Sequence, residues 1–444
     1  MLTTIGALTV SLWLLGHALC AGDSTPESPS FLGDAARLAQ SLQVVLIQQT
    51  ILIVAENTTP PKPDTPRHIT EKEHLLQRMG RKNGRWTEHH PRHRLLEALR
   101  GFSAYGQTHL ADLDHLKTLY SHVSKQQKAL LEKELGYSKK FTSISDLVAI
   151  NQNLCHAIVQ NALEFYHISQ GELDRHTEEM MAARRAAERV SVSQSLKHLV
   201  RDWAAEGTNE RDAAFSCIIK VLEGLVAGHD EPLTVLLPGA GLGRLGQEVS
   251  KLGFEVTNNE WSMYQNVVYR FLETNGGRRH QNVVYPFLDS WSHHKTTSDM
   301  LRGVSFPDVA MNASAVVLVE GDFTTAFGGE TGHFDVVVTH FFIDTARNIM
   351  SYLDTIFRIL KQGGYWINFG PLLYGSAPFV QLSLDEIIAV AEAMGFRFRD
   401  VSDECGAVSL AGMEVRSLEA VYGFDERALV KNAYDAQFWV AQRP

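Results

Sequence analysis

Apolar positions recur at two different spacings along this chain. Between about residues 68 and 189 they fall every three or four residues in a polar background, as in Leu95, Leu96, Leu99 and Phe102, and again in Leu130, Leu131 and Leu135. That spacing gathers apolar side chains on one face of a helix and predicts an all-helical region. From Leu233 onward the pattern changes to short β-branched runs separated by helical stretches, which predicts a parallel sheet covered on both faces. Strands are expected at 234–237, 254–257, 315–319, 334–339 and 365–369. Ile349, Leu353, Ile356, Phe357 and Leu360 form one helical face that Gly363 and Gly364 are expected to close. Ser383 to Glu386 read as a capping box before the apolar run 387–394, which Gly395 ends. The expected fold is α/β, a doubly wound sheet preceded by a helical region.

The amino-terminal residues follow neither spacing. Residues 1–22 carry no charge and run from Leu8 to Leu15 into the small residues Ala18, Cys20 and Ala21, like the apolar core and cleavage site of an export signal. They lack the usual basic start, so a cleaved signal or anchor stands beside an uncleaved leader or a misassigned start. Residues 38–54 are apolar but broken by Gln40, Gln43, Gln48 and Gln49, which suits an amphipathic helix rather than a membrane span. Pro60, Pro61, Pro63 and Pro66 make a stiff connector. The expected organisation is a signal-like or anchor leader (1–22), leader and proline-rich linker (23–67), a helical region (68–190) and an α/β domain (191–444).

With 44% hydrophobic residues over 444 positions, the chain is too apolar to be disordered throughout. Lys and Arg number 41 against 51 Asp and Glu, a net charge of -10, so no general basic field exists to hold nucleic acid. The four cysteines, Cys20, Cys155, Cys217 and Cys405, are far apart and form no CxxC, so neither a disulfide scaffold nor a zinc site is expected. The stretch Glu88-His89-His90-Pro91-Arg92-His93-Arg94 is rich in ligand types, but Pro91 breaks helical pairing of ligands, and a solvated polar turn is expected.

The first strand runs into Pro238-Gly239-Ala240-Gly241-Leu242-Gly243-Arg244-Leu245-Gly246. Glycines there let the backbone turn sharply and approach a ligand closely, with helix amides facing it. Glu260 follows Gly239 by 21 residues, where a carboxylate can accept both ribose hydroxyls of an adenosine cofactor; the alternative is a tight turn with a surface glutamate. Gly241 to Gly246 also fits the dinucleotide fingerprint, so the loop alone leaves NAD and S-adenosylmethionine open. Two features favour S-adenosylmethionine: the first glycine follows the strand at once, and the third strand leads into Glu320-Gly321-Asp322-Phe323. There Asp322 can take the adenine amino group while Phe323 covers the ring, or Asp322 is simply a turn residue. Asp344 lies past the fourth strand, on the rim where open α/β sheets bind ligands, placed to hold a nucleophile's N–H or to cap a helix starting at Thr345.

The chain resembles the carnosine N-methyltransferase family, from roughly Arg92 to the carboxyl end. The resemblance rests on Leu196-Lys197-His198-Leu199-Val200-Arg201-Asp202-Trp203, Glu210-Arg211-Asp212, the glycine loop, Asn259-Glu260-Trp261-Ser262, Gly321-Asp322-Phe323, Phe341-Phe342-Ile343-Asp344-Thr345-Ala346 and the stretch Trp366 to Tyr374. It implies a Rossmann-like class I methyltransferase that uses S-adenosylmethionine to methylate an imidazole nitrogen of β-alanyl-histidine (carnosine), giving anserine. It further implies that Arg201, Gly239, Glu260, Asp322, Phe323 and the backbone at His340 contact the cofactor, beside Gly241 and Gly243, which the loop itself offers as cofactor contacts. His198 stands where the family has glutamine at a presumed cofactor contact. Asp344 would hold the substrate's imidazole N–H and Tyr434 would help bind the dipeptide. Gly375 stands where the family carries a substrate-touching histidine, so a related histidine dipeptide is an alternative acceptor.

Three rivals stay open at this stage: a methyltransferase of the same fold acting on a protein histidine or other small amine, an NAD-dependent oxidoreductase, and a binding module without turnover. The expected partner is a small-molecule substrate and not nucleic acid, with a homodimer surface offered by the helical region and a membrane contact only if the leader is an anchor. Supply of S-adenosylmethionine suggests the cytosol, whereas the leader suggests the secretory pathway.

Overall fold

The computed structural model describes Pro63 and residues 65–444 other than Ser376. The leader, the glutamine-broken segment and most of the proline-rich connector lie outside those residues. Among the described residues no helix is long and apolar enough to cross a membrane.

The helices ahead of the first strand are α1 (Pro66–Arg78), α2 (Pro91–Ser103), α3 (Tyr105–Ser121), α4 (Lys125–Leu135), α5 (Tyr137–Phe165), α6 (Gln170–Ala182), α7 (Val190–Trp203) and α8 (Thr208–Val226). Local chemistry sets its breaks. The Thr65 side chain caps α1, and Pro66 supplies a first turn that needs no amide donor. Ser124 and Gln127 form a capping box on α4, and Gly136 ends it in the left-handed conformation. Yet α4 buries no residue, and Leu130 and Leu135 are exposed, so the apolar spacing there marks a helix without a core face.

The histidine-rich stretch is the expected solvated turn at Glu88 and His89, which are exposed, but not from His90 onward. Pro91 opens α2 instead of breaking it, His90 accepts the Arg92 N–H at 3.2 Å as its cap, and both His90 and His93 are buried. His93 meets the edge of His176, whose Nε2 lies 2.6 Å from Glu97. Among the described residues no cluster suited to a metal ion occurs.

The sheet strands are β1 (Thr234–Pro238), β2 (Glu255–Glu260), β5 (Val316–Glu320), β6 (Phe334–His340), β7 (Leu360–Gly370), β8 (Arg397–Arg399), β9 (Ala407–Val408), β10 (Arg416–Val421) and β11 (Ala433–Gln442), while β3 (Asn282–Val284) and β4 (Val304–Phe306) form a separate ribbon. The order is β5-β2-β1-β6-β7-β11-β10-β9, with β8 also on β11. The five strands from β5 to β7 are parallel and the rest antiparallel, so the sheet is mixed rather than wholly parallel. From β1 the chain winds outward through β2 to β5, then returns to β6 on the other flank of β1. Loops leaving β1 and β6 therefore diverge, which opens a crevice at their carboxyl ends.

The remaining helices are α9 (Arg244–Ser250), α10 (Met263–Asn275), α11 (Ile349–Ile359) and α12 (Leu384–Met394), with short turns elsewhere. The capping box and Gly395 bound α12 as expected. Gly363 and Gly364 do not close α11: Leu360 is already extended and both glycines lie inside β7, where a Cβ on Gly364 would meet the Asp335 carbonyl at 2.9 Å. Helices dock on the far edge through polar contacts. His68 Nε2 donates to the Val316 carbonyl at 3.0 Å, and the Tyr166 hydroxyl reaches both oxygens of Glu320 at 2.9 Å. Arg270, bonded to Glu273 and Glu320, completes this buried group and fixes the end of β5 ahead of Asp322.

A disulfide joins Cys217 of α8 to Cys405, 188 residues away, contrary to the expectation from cysteine spacing; Cys155 is free and buried. Spacing along the chain carries no information about two segments that only the sheet brings together. Closing so long a loop restricts the unfolded chain, so Cys217→Ser is expected to lower unfolding stability by about 2–4 kcal/mol. Thermal unfolding of wild type and variant, with and without reductant, checks this; identical transitions in oxidising buffer would argue that the bond contributes nothing.

Candidate active site

At the crevice the chain leaves β1 through three glycines with positive φ: Gly239 (+68°), Gly241 (+56°) and Gly243 (+76°). Side chains resist this conformation, and a Cβ would overlap the Phe342 ring at Gly239 and the Tyr269 ring at Gly243. The loop is fixed from two sides. Trp203 Nε1 donates to the Leu242 carbonyl at 2.8 Å, and Glu260 at the end of β2 accepts the Gly241 N–H at 2.9 Å on one oxygen and the Ser262 N–H at 2.7 Å on the other. Burial pushes the Glu260 carboxyl upward, and the backbone donors oppose that.

A cavity of about 740 Å³ occupies the crevice. Its wall includes His198, Arg201, Gly239, Gly241, Glu260, Asp322, Phe323 and His340, all expected from sequence. Asp322 also caps the short turn after it by accepting the Thr324 N–H at 2.8 Å, which is the turn role the sequence allowed. Phe323 meets Phe342 and Tyr352 edge-on, each with ring centroids 5.5 Å apart.

Arg201 is built into the wall by its neighbours. Its Nε donates to Asp202 at 2.9 Å, its Nη2 donates to His198 Nδ1 at 2.6 Å, and the guanidinium lies 4.6 Å from the Tyr422 ring centroid and 5.3 Å from that of Phe424. Its Nη1 is buried without a partner, as is His340 Nε2. Burial first, and the Arg201 charge second, pull His340 down to about 3, so that ring is neutral.

Four expected residues stand outside the wall. Gly243 shapes the loop from behind. Asp344 lies on the turn Ile343–Thr345, and α11 is capped by Asn348, not by Asp344. The Asp344 carboxylate is 6% exposed and accepts the Leu373 N–H at 3.0 Å, while Phe342 and Thr345 on either side of it do line the cavity. Burial raises Asp344 to about 6, partly offset by the Leu373 N–H. Tyr434 on β11 sits behind two wall rings, with centroids 6.0 Å from Phe341 and 6.4 Å from Tyr422. Gly375 is exposed, and a Cβ there would meet nothing within 4 Å. Sequence reasoning gave no role to Asp202, Tyr422, Phe424, Tyr352 or Arg347. Asp202 is adjacent to Arg201 in the sequence, but the aromatic pair arrives after β10, on the antiparallel side of the main sheet, with no local signal.

These features fit S-adenosylmethionine. A glycine cradle closed to any Cβ lies beside a buried carboxylate suited to ribose hydroxyls, and a guanidinium with an unused N–H faces the same cavity.

A family model described as carnosine N-methyltransferase matches residues 177–444. The carnosine N-methyltransferase of Schizosaccharomyces pombe is 30% identical over 376 residues, covering 78% of this chain and 95% of that protein. The Mus musculus protein of the same name is 28% identical, covering 78% of this chain and 85% of its own length, and the Rattus norvegicus protein is 30% identical, covering 72% and 78%. The glycine cradle and the turn bearing Asp344 both fall inside the matched residues, and the chain belongs to the carnosine N-methyltransferase family.

Proposed function

We propose that this chain transfers the methyl group of S-adenosylmethionine to an imidazole nitrogen of β-alanyl-histidine, a small-molecule substrate, giving anserine. The observation that carries the reading beyond family membership is Asp344, a buried carboxylate set between two wall residues at the carboxyl end of β6. Bound S-adenosylmethionine supplies an electrophilic methyl on a sulfonium, so the chain has to provide alignment more than acid–base chemistry.

Glu260 is suited to the ribose hydroxyls, since each oxygen spends only one acceptor site on the loop. Asp322 and Phe323 are suited to the adenine, and Arg201 with its free Nη1 to the carboxylate of the methionine part, beside His198, Gly239, Gly241 and the His340 backbone. Asp344 keeps acceptor sites beyond the one Leu373 uses, and one of them takes the imidazole N–H. That bond selects the tautomer whose other nitrogen carries the lone pair directed at the methyl. Formation of the N–C bond with loss of the S–C bond would pass the sulfonium's positive charge to the ring, where the Asp344 carboxylate facing the N–H would stabilise it. Tyr434, through Phe341 and Tyr422, supports the side of the cavity where the dipeptide lies.

Asp344 must be ionised and the substrate ring neutral. Free imidazole titrates near 6.5 and the Asp344 carboxyl near 6, so kcat/KM for the dipeptide is expected to fall on the acid side with a limiting slope of two. Asp344→Asn should keep a slope of one. A wild-type slope of one, set by the substrate alone, would remove Asp344 from the transfer step. Substrate class is tested by comparing carnosine with histidine, homocarnosine and a short histidine peptide; preference for the peptide would move the acceptor to protein histidine.

A further inference from the structure

Four guanidiniums line the cavity, and three are committed to carboxylates. Arg201 is bonded to Asp202 at 2.9 Å, and Arg211 and Arg244 each reach Asp308 at 2.6 Å. Arg347 has no carboxylate partner among the described residues; its guanidinium lies over the Phe379 ring, 4.9 Å from the centroid. Phe379 is 70% exposed, and its N–H donates to the Arg347 carbonyl at 2.6 Å, so backbone and ring together hold an aromatic against this cation at the cavity rim.

Charge and position point the same way. The cofactor and a histidine dipeptide each bring one carboxylate to a cavity that already holds Asp202, Glu210, Glu260 and Asp322. An incoming anion there needs a guanidinium N–H that no carboxylate already holds, as Arg201 Nη1 and the Arg347 guanidinium provide. Arg201 Nη1 serves one carboxylate, which leaves Arg347 for the other. Arg347 follows Asp344 by three residues, and both hold backbone N–H groups of the segment after β7, Asp344 at Leu373 and Arg347 at Phe379. A histidine unit likewise carries its ring and its carboxylate only a few bonds apart.

We infer that Arg347 receives the carboxylate of the dipeptide and sets the preference for a free carboxyl terminus, with Phe379 holding the guanidinium plane. This rests on the imidazole-methylation reading. Since Arg347 is exposed at the rim, its pair with the carboxylate acts mainly on binding. In full-length Arg347→Gln, KM for β-alanyl-histidine is expected to rise about tenfold with kcat little changed, the scale of one charge-assisted pair. Arg347→Lys should recover part of that loss, and Arg347→Glu should deepen it.

The deciding comparison is with β-alanyl-histamine, which keeps the imidazole and amine but lacks the carboxylate. Wild type should use it with a lower kcat/KM, and Arg347→Gln should leave that value unchanged, erasing the preference for the acid. If the variant weakens both substrates equally, or keeps the acid-over-amine ratio, Arg347 does not read the carboxylate, although imidazole methylation stands. If the wild-type chain methylates neither compound while binding S-adenosylhomocysteine, the substrate reading fails and the role of Arg347 falls with it.

Discussion

Asp344→Asn is expected to lower turnover of carnosine by about 100- to 1,000-fold, as loss of one aligned electrostatic partner does elsewhere, while affinity for S-adenosylhomocysteine stays within a few-fold of wild type. The amide has nearly the shape of the carboxyl, and its oxygen can still accept the Leu373 N–H that ties down the neighbouring segment. What it loses is the negative charge facing the ring as positive charge develops, and with it the choice of tautomer. Stability separates this effect from damage to the fold. Burial raises the folded-state carboxyl to about 6, above its unfolded value, so its favourable contribution is fully present only below the unfolded pKa and is lost as pH rises through 6. The asparagine variant should therefore unfold at the same or a higher temperature than wild type above pH 6, with the difference fading toward pH 4. Isothermal titration and single-turnover rates read the catalytic side, and equal losses of affinity and turnover would assign Asp344 to architecture.

Glu260→Gln is expected to weaken S-adenosylhomocysteine binding by about 30-fold or more, the scale of a buried donor left without its acceptor together with a lost ribose contact. In wild type each carboxylate oxygen accepts one backbone N–H, from Gly241 and from Ser262. An amide offers one oxygen and one NH2, so one of those donors must face another donor. The clash falls on the glycine loop at Gly241 or on Ser262 ahead of α10, depending on which way the amide turns. Retention of wild-type affinity would show that the loop is held by its φ values and by Trp203 alone.

How much of this was legible depended on whether the cause was local. Gly239, Gly241 and Gly243 announce themselves because a positive φ beside a strand end admits little else, and Glu260, Asp322 and Phe323 follow from their positions at the ends of neighbouring strands. Arg201 and His198 precede the first strand, and only the packing of α7 carries them to the cavity, so family resemblance pointed to them where periodicity did not. Tyr422 and Phe424 follow β10, far along the chain from the guanidinium they cover, and the Cys217–Cys405 bond likewise joins segments that meet only in the folded sheet. Gly363 and Gly364 resembled a helix stop because an apolar helical face precedes them, yet pairing with β6 draws Leu360 into the strand. For Asp344 the position was readable and the setting was not: its carboxylate turns toward Leu373, a contact set by the segment after β7.

The most direct test supplies the full chain with S-adenosylmethionine carrying a 13C-labelled methyl, together with carnosine, and locates the label in the product by NMR. The methyl is expected on an imidazole nitrogen, giving anserine, with one S-adenosylhomocysteine formed per methyl transferred. A label on the β-alanyl amine, or no methylated dipeptide from a chain that binds S-adenosylhomocysteine, would contradict it.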